Sequence, residues 1–228
     1  MAKRPIYTPK DSFPFVSEQL AEFKWHAGFA VSQKQKSIEE LHSAAIESLS
    51  CVKPLEVSSK SGNPIGVELS AFNLKVQMNN GKEFSVENIF QSSKVFENGG
   101  PFIDLRCVSP KEAKRDSRLK KSGDLTGFMG KGFIWPLEPK TLFYDWIYLN
   151  ALHQNIDLVE EVKLYDAFTD IEFNPKKSFN CQARSVALYV GLAKSKLLDS
   201  VIGDQDAYRK ILGQTELRKQ EQFQIQFF

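Results

Sequence analysis

The stretch from Gly81 to Phe96, GKEFSVENIFQSSKVF, constrains the chain most. Asn79-Asn80-Gly81 is strong turn chemistry, so the segment ahead of it must reverse direction there. Ser85 then stands where an N-cap belongs, and Val86, Ile89, Phe90 and Val95 follow at helical spacing. The pattern predicts a helix running through Val95, entered from a short β element. On such a helix Glu87, Gln91 and Lys94 fall at i, i+4 and i+7, on a face nearly opposite Ile89 and Val95. A carboxylate, an amide and an amine converging in a cleft are equipped for proton transfer or covalent chemistry at a sugar carbon. The ordinary alternative is a polar face in contact with water, and spacing alone favours it.

The rest of the chain reads as loops and helices with few strands. Residues 1–15 carry three prolines and suggest an extended arm, and Val16–Trp25 does not declare its type. The polar run from Ser32 to Ser37 reads as a loop ending in an N-cap at Ser37, with Glu40 completing a capping box before a helix through Leu41, Ala44, Ala45 and Leu49. Leu55 to Ser70 suggests two strands joined around Gly62-Asn63-Pro64, and Phe72 to Met78 a third. Asn98-Gly99-Gly100-Pro101 reads as the end of the central helix. Ser109-Pro110 would open a helix into the basic run Lys111–Lys121, which is either a solvated face or a phosphate clamp. Gly123–Gly132 matches no phosphate-loop pattern and reads as a flexible insertion. Helices are expected over Tyr144–Leu158 and Ser178–Leu192, with a strand or turn at Phe168–Pro175 between them. The last 25 residues suggest a peripheral helix and tail.

Composition narrows the function classes. With 228 residues, 42% of them hydrophobic and 18 of them phenylalanine, the chain can bury a real core. A net charge of +2 argues against a histone-like nucleic-acid binder and against a membrane-surface protein, though it leaves room for a local basic patch. Cys51, Cys107 and Cys181 are far apart and His26, His42 and His153 are scattered, so a structural zinc site is not expected. Sparse, odd-numbered cysteines suit a reducing cytosol. The N-terminus lacks the apolar core of a secretory signal, and no run of about 18 apolar residues suggests a membrane span.

Three blocks in order carry a family resemblance. Leu69-Ser70-Ala71-Phe72-Asn73-Leu74 resembles an LSNF-type loop. Ser85-Val86-Glu87 through Gln91 to Lys94 is similar to a helix of the form S-x-E-x-x-x-Q-x-x-K. Ser109-Pro110-Lys111-Glu112-Ala113-Lys114 with Arg118 resembles the S-P-x-x-A-K block and its following Arg. Together they resemble the NADAR family over roughly residues 65 to 200.

That resemblance implies a mainly α (α+β) fold: a compact helical catalytic domain over 61–228 with a small β element, and an N-terminal extension, 1–60, packed on it. It also implies an N-glycosidase that cleaves a bond between ribose C1 and nitrogen, with no cofactor and no metal. The substrate would be ADP-ribose on guanine in DNA or RNA, or a phosphorylated intermediate of riboflavin synthesis. The N-terminal extension, the insertion before Trp146 and the FTDIEFNPKKSFNCQAR segment resemble the NADAR antitoxins that accompany a DNA ADP-ribosyltransferase toxin, which points to guanine in DNA and to a cytoplasmic protein.

Carried residue by residue, the resemblance makes Glu87 the carboxylate at C1 and Lys94 either a phosphate ligand or a Schiff-base amine. Asp170 or Glu172 would be the third acid, because the Trp-Gly usual near that acid is missing. Ser70, Phe72, Asn73 and Gln91 would line the pocket, and Lys114 and Arg118 would hold pyrophosphate. Trp146, ahead of Trp135, would stack on the base. The competing classes are a binding module without turnover and a protein that only masks the toxin.

Overall fold

The computed structural model describes residues 1–49 and 53–213; Cys51 and the tail expected beyond 213 lie outside them. The chain opens with an antiparallel hairpin of β1 (Ala2–Pro9) and β2 (Val16–Phe23), Ala2 facing Phe23 and Pro9 facing Val16. The expected extended arm is thus a paired strand over Ala2–Pro9. Proline is tolerated within it because its second edge is bonded only at Ile6 and Tyr7.

Helix α1 (Val31–Leu49) begins six residues earlier than its expected cap. Ser37 lies inside it, fully buried, and its hydroxyl donates to the Gln33 carbonyl (3.0 Å) and accepts from the His26 N–H (2.9 Å). The side chain thus ties down the connection from β2 instead of starting a helix. Glu40, the expected capping-box partner, takes the His26 ring at 3.1 Å.

After β3 (Pro54–Glu56) comes α2 (Pro64–Glu68), where a second strand was expected. Asn63 caps it by accepting the Ile65 N–H, and Pro64 sits in its first turn, so the Asn-Pro pair is a helix start and not a hairpin turn. The next turn matches expectation: β4 (Lys75–Gln77) and β5 (Glu83–Ser85) pair across Asn79–Gly81 and lead into α3 (Val86–Ser92). There β6 (Lys94–Phe96) follows directly. A 3-10 turn at Ile103–Cys107, α4 (Pro110–Arg115) and α5 (Arg118–Lys121) come next, α4 with Ser109 as the expected cap and Glu112 completing a capping box that was not expected.

The glycine-rich stretch is not a flexible insertion. It forms β7 (Leu125–Gly130), which pairs with β6 on one side and β8 (Phe133–Trp135) on the other. Glycine is needed there for close approach: a Cβ on Gly127 would lie 2.8 Å from the Trp135 carbonyl oxygen. Then follow α6 (Leu142–His153), α7 (Ile156–Val162), β9 (Ala167–Thr169), α8 (Gln182–Lys194), α9 (Leu198–Val201) and α10 (Gln205–Leu212).

The mainly helical class expected from the resemblance is overturned. Of the described residues, 43% are helical and 20% are in strands, a mixed α/β arrangement with three sheets. The four-stranded sheet runs β2-β1-β9-β3, with β3 parallel to β9, so residues 2–23, 54–56 and 167–169 share one hydrogen-bonded layer. Helices α6 and α8 cross the main core with nearly every residue of α6 buried, as a helix apolar on all sides must be. A smaller core of Ile6, Phe23, Ile38, Leu41 and Ile171 fills the space between α1 and the sheet. No helix among the described residues is long and apolar enough to cross a membrane.

Candidate active site

Helix α3 is placed by its own chemistry. The Ser85 hydroxyl accepts the Asn88 N–H (3.1 Å), and the Asn88 amide donates to the carbonyls of Leu105 (2.7 Å) and Val108 (3.0 Å). All seven of its residues are buried, including Glu87 and Gln91, each 5% exposed. A solvated polar face is thereby excluded. Burial of a carboxylate at this depth requires partners. Glu87 Oε1 accepts from Gln91 Nε2 at 2.8 Å and faces Lys114 Nζ at 3.6 Å. The other end of the Gln91 amide is an orphan: its Oε1 is buried with no donor among the described residues.

Lys94 is not on that helix. Ser92 and Ser93 both turn their hydroxyls back to the Ile89 carbonyl (3.0 and 2.7 Å), the helix stops, and Lys94 opens β6 opposite Phe128. The strand still directs its amine into the same cavity as Glu87. Its Nζ lies 4.9 Å from the centre of the Phe90 ring, and no carboxylate among the described residues is within ion-pair distance. Burial pulls its pKa below the ordinary lysine value; Glu87 opposes that shift and Lys114 adds to it.

The loop after α2 is pinned from three sides. Tyr148 of α6 donates to the Leu69 carbonyl (2.5 Å), the Ala71 N–H donates to Gln182 Oε1 of α8 (2.8 Å), and the Ala71 carbonyl accepts the Glu87 N–H (2.9 Å). This presents Ser70 and Phe72 to the cavity. Asn73 does not line it: exposed, it donates to the Val67 carbonyl at 2.8 Å and holds the loop's own shape.

Asp170 follows the last residue of β9, so it and Glu172 are not alternate positions on a strand. Its Oδ1 accepts the N–H groups of Glu172 (3.0 Å) and Phe173 (3.1 Å), closing a turn. The side chain is 6% exposed, and burial, reinforced by the nearby Glu56 carboxyl, pushes its pKa well above the aspartate range. Glu56 is buried too, accepting from the Thr169 hydroxyl (2.6 Å) and the Ile171 N–H (2.8 Å). Glu172 also borders the cavity, but it is exposed and paired with Lys34 at 3.0 Å. Turn capping and a place at the site are thus both properties of Asp170.

The cavity between these groups measures about 860 Å³. Its floor is aromatic: Phe90 stacks on Phe128 at 5.3 Å and meets Tyr144 edge-on at 5.2 Å. The Tyr144 hydroxyl is raised well above its ordinary pKa by burial first, then by the charges of Glu87 and Asp170, so it stands within reach of both acids' fields.

Two expectations fail here. Arg118 does not line the cavity; it is tied to Asp104 (2.6 Å) and Asp116 (2.9 Å) and fastens α5 to the 3-10 turn. Lys114 and Lys120 do line it. Trp146 and Trp135 pack on each other (5.7 Å) and on Tyr208 (5.0 and 6.2 Å) in the core, and neither reaches the cavity. Rings that do reach it are Phe72, Phe173 and Phe179, together with the floor. Of these only Phe72 stood out in sequence. Gln182 had no signal in the α8 stretch that set it apart from its polar neighbours Arg184 and Ser185.

Among the described residues, no group of three or more His, Cys, Asp or Glu side chains is placed to hold a metal ion. The groups that meet here are one desolvated amine, one carboxylate held by an amide and a lysine, and one carboxyl disposed to keep its proton. That set suits acid–base and nucleophilic work at an electrophilic carbon.

No curated protein sequence matches the chain. A family model described as DarT1-associated NADAR antitoxin matches residues 2–222, which takes in every strand and helix above and every group at the cavity. The chain belongs to the DarT1-associated NADAR antitoxin family.

Proposed function

We propose that the chain is an N-glycosidase that removes ADP-ribose from guanine in DNA and so reverses the action of an ADP-ribosyltransferase toxin. The observation that carries this reading is Lys94: a half-buried amine over a ring, without a carboxylate partner among the described residues, in one cavity with Glu87 and Asp170. The Lys94 lone pair attacks ribose C1, the C1–N bond to guanine breaks, and the departing nitrogen takes the Asp170 proton. Glu87 removes a proton from the new ammonium. The nitrogen lone pair then opens the sugar to an iminium, the ring oxygen taking up that proton. Water adds to the iminium carbon and returns a proton to Asp170; expulsion of the lysine amine releases ADP-ribose.

The remaining lining fits such a substrate. Lys114 and Lys120 offer charge to a pyrophosphate, and the orphan Gln91 Oε1 offers an acceptor to a sugar hydroxyl. A cavity of about 860 Å³ lies in the upper part of the ordinary range for small-molecule sites, which favours a dinucleotide-sized ligand over a small sugar phosphate.

The test is incubation with an ADP-ribosylated guanine oligonucleotide, and separately with a phosphorylated riboflavin-pathway intermediate, under borohydride. Release of ADP-ribose from the first, a reduced adduct on Lys94, and at least about a hundredfold loss in Glu87→Gln with ligand still bound are expected. Full activity in Lys94→Ala would rule out the covalent route and leave attack by water. Turnover of the riboflavin intermediate alone would overturn the substrate assignment.

A further inference from the structure

One part of the cavity wall is not used by this chemistry. The loop between β9 and α8 brings Lys177, Ser178, Phe179 and Asn180 to the cavity, and the segment before α6 brings Glu138 and Lys140. Phe179 is 61% exposed, which places it at the cavity's outer edge, with Lys140 Nζ 4.0 Å from the centre of its ring. The loop is held rather than loose. The Asn174 carbonyl accepts the N–H groups of Lys177 (2.9 Å) and Ser178 (3.0 Å), and its side chain accepts that of Lys176 (3.0 Å).

A phenyl ring left in water by so ordered a loop has no role in the core. Beside it, Asn180 Oδ1 is buried with no donor among the described residues. The charge at this edge is positive: Lys140 and Lys177 against Glu138, because Glu172 is engaged by Lys34 and Glu87 by Lys114. An aromatic face with flexible cations around it and an unfilled acceptor next to it is the equipment for binding unpaired bases on a phosphate chain.

We propose that Phe179, with Lys140 and Lys177, is a platform for single-stranded nucleic acid, stacking a base of the polymer while the lysines follow its phosphates. This deepens the reading above and rests on it, since the polymer is what carries the modified guanine to Lys94. Lys114 sits with Glu87 and Phe72 and is the cation for the pyrophosphate of the ADP-ribose itself. The edge around Phe179 therefore serves the polymer.

Two measurements test this. The first is fluorescence anisotropy with an unmodified, labelled, guanine-containing single-stranded oligonucleotide across a salt series. Phe179→Ala is expected to weaken binding roughly tenfold and Phe179→Trp to preserve it. Replacing Lys140 and Lys177 together is expected to lower the slope of log K against log salt by about 0.7 for each lysine. The second compares cleavage of an ADP-ribosylated oligonucleotide with that of ADP-ribosylated guanosine. Phe179→Ala is expected to lower kcat/KM on the oligonucleotide at least tenfold more than on the nucleoside, with an unchanged melting temperature.

Unaltered oligonucleotide binding in Phe179→Ala overturns the proposal. So does an equal loss on both substrates, which would assign the ring to the ADP-ribose, and so does tighter binding of duplex than of single strand. If wild type cleaves neither substrate, the glycosidase reading fails. The anisotropy arm still decides the platform.

Discussion

A lysine amine withdrawn from water gives up its proton more readily, and the buried Asp170 carboxyl keeps its proton longer. Activity that needs a neutral Lys94 and a protonated Asp170 rises as pH climbs toward the depressed lysine pKa and falls as the carboxyl ionises. A bell-shaped kcat/KM profile is expected, its upper limb absent in Asp170→Asn. The same residue has a stability signature. Its folded pKa is raised above the ordinary 3.8, so its favourable contribution is complete below the unfolded pKa and is lost as pH rises toward the folded one. Asn keeps the turn-capping oxygen without the titration. Asp170→Asn should therefore match wild type in strongly acid solution and exceed it at higher pH, with a slope of about 1.4 kcal/mol per pH unit between the two pKa values. Denaturant melts at several pH values would show it; a less stable variant at neutral pH would refute the assignment of burial as the cause.

At the scale of elements, the junction of α3 and β6 decides where the amine goes. Gly100 lies against it with φ +83°, and a Cβ there would sit 2.2 Å from the Lys94 carbonyl oxygen. Gly100→Ala should cost more than about 1 kcal/mol in a thermal melt and reduce activity further than that loss explains, because the strain falls on the strand carrying the amine. What was legible in sequence and what was not divide along the same lines. The Ser85 cap, the Asn79–Gly81 turn and the Ser109 cap before Pro110 are contacts within a few residues, and each is found where the pattern puts it. The serine pair that halts α3 was read as two more helical positions, because back-bonding to Ile89 leaves no mark in hydrophobic spacing. Glu87 and Gln91 could be named but not buried from sequence, since the residues that cover them come from α4, α6 and the loop after α2. Arg118 was misread for the converse reason: Asp104, fourteen positions away, claims it.

For the whole molecule, the sheet β2-β1-β9-β3 joins the two ends of the chain's middle to its beginning. Its three-residue strands β3 and β9 pair Glu56 with Thr169 across a separation that no window along the sequence can sense, which is why the strand content was underestimated. The chain's first hairpin covers β9, and Tyr7, Phe15 and Val16 belong to the main core. Deleting residues 1–24 should therefore leave a chain that does not melt cooperatively; a truncated protein with a sharp melt and intact ADP-ribose release would contradict this. One more consequence concerns synthesis. The loop at Ser70 is fastened by Gln182, and Asp170 follows a strand that pairs with Ile6 and Tyr7 on one side and with residues 54–56 on the other. No pocket can therefore close until residues from Ile6 through Gln182 have all been joined, and a product broken off before α8 would lack it.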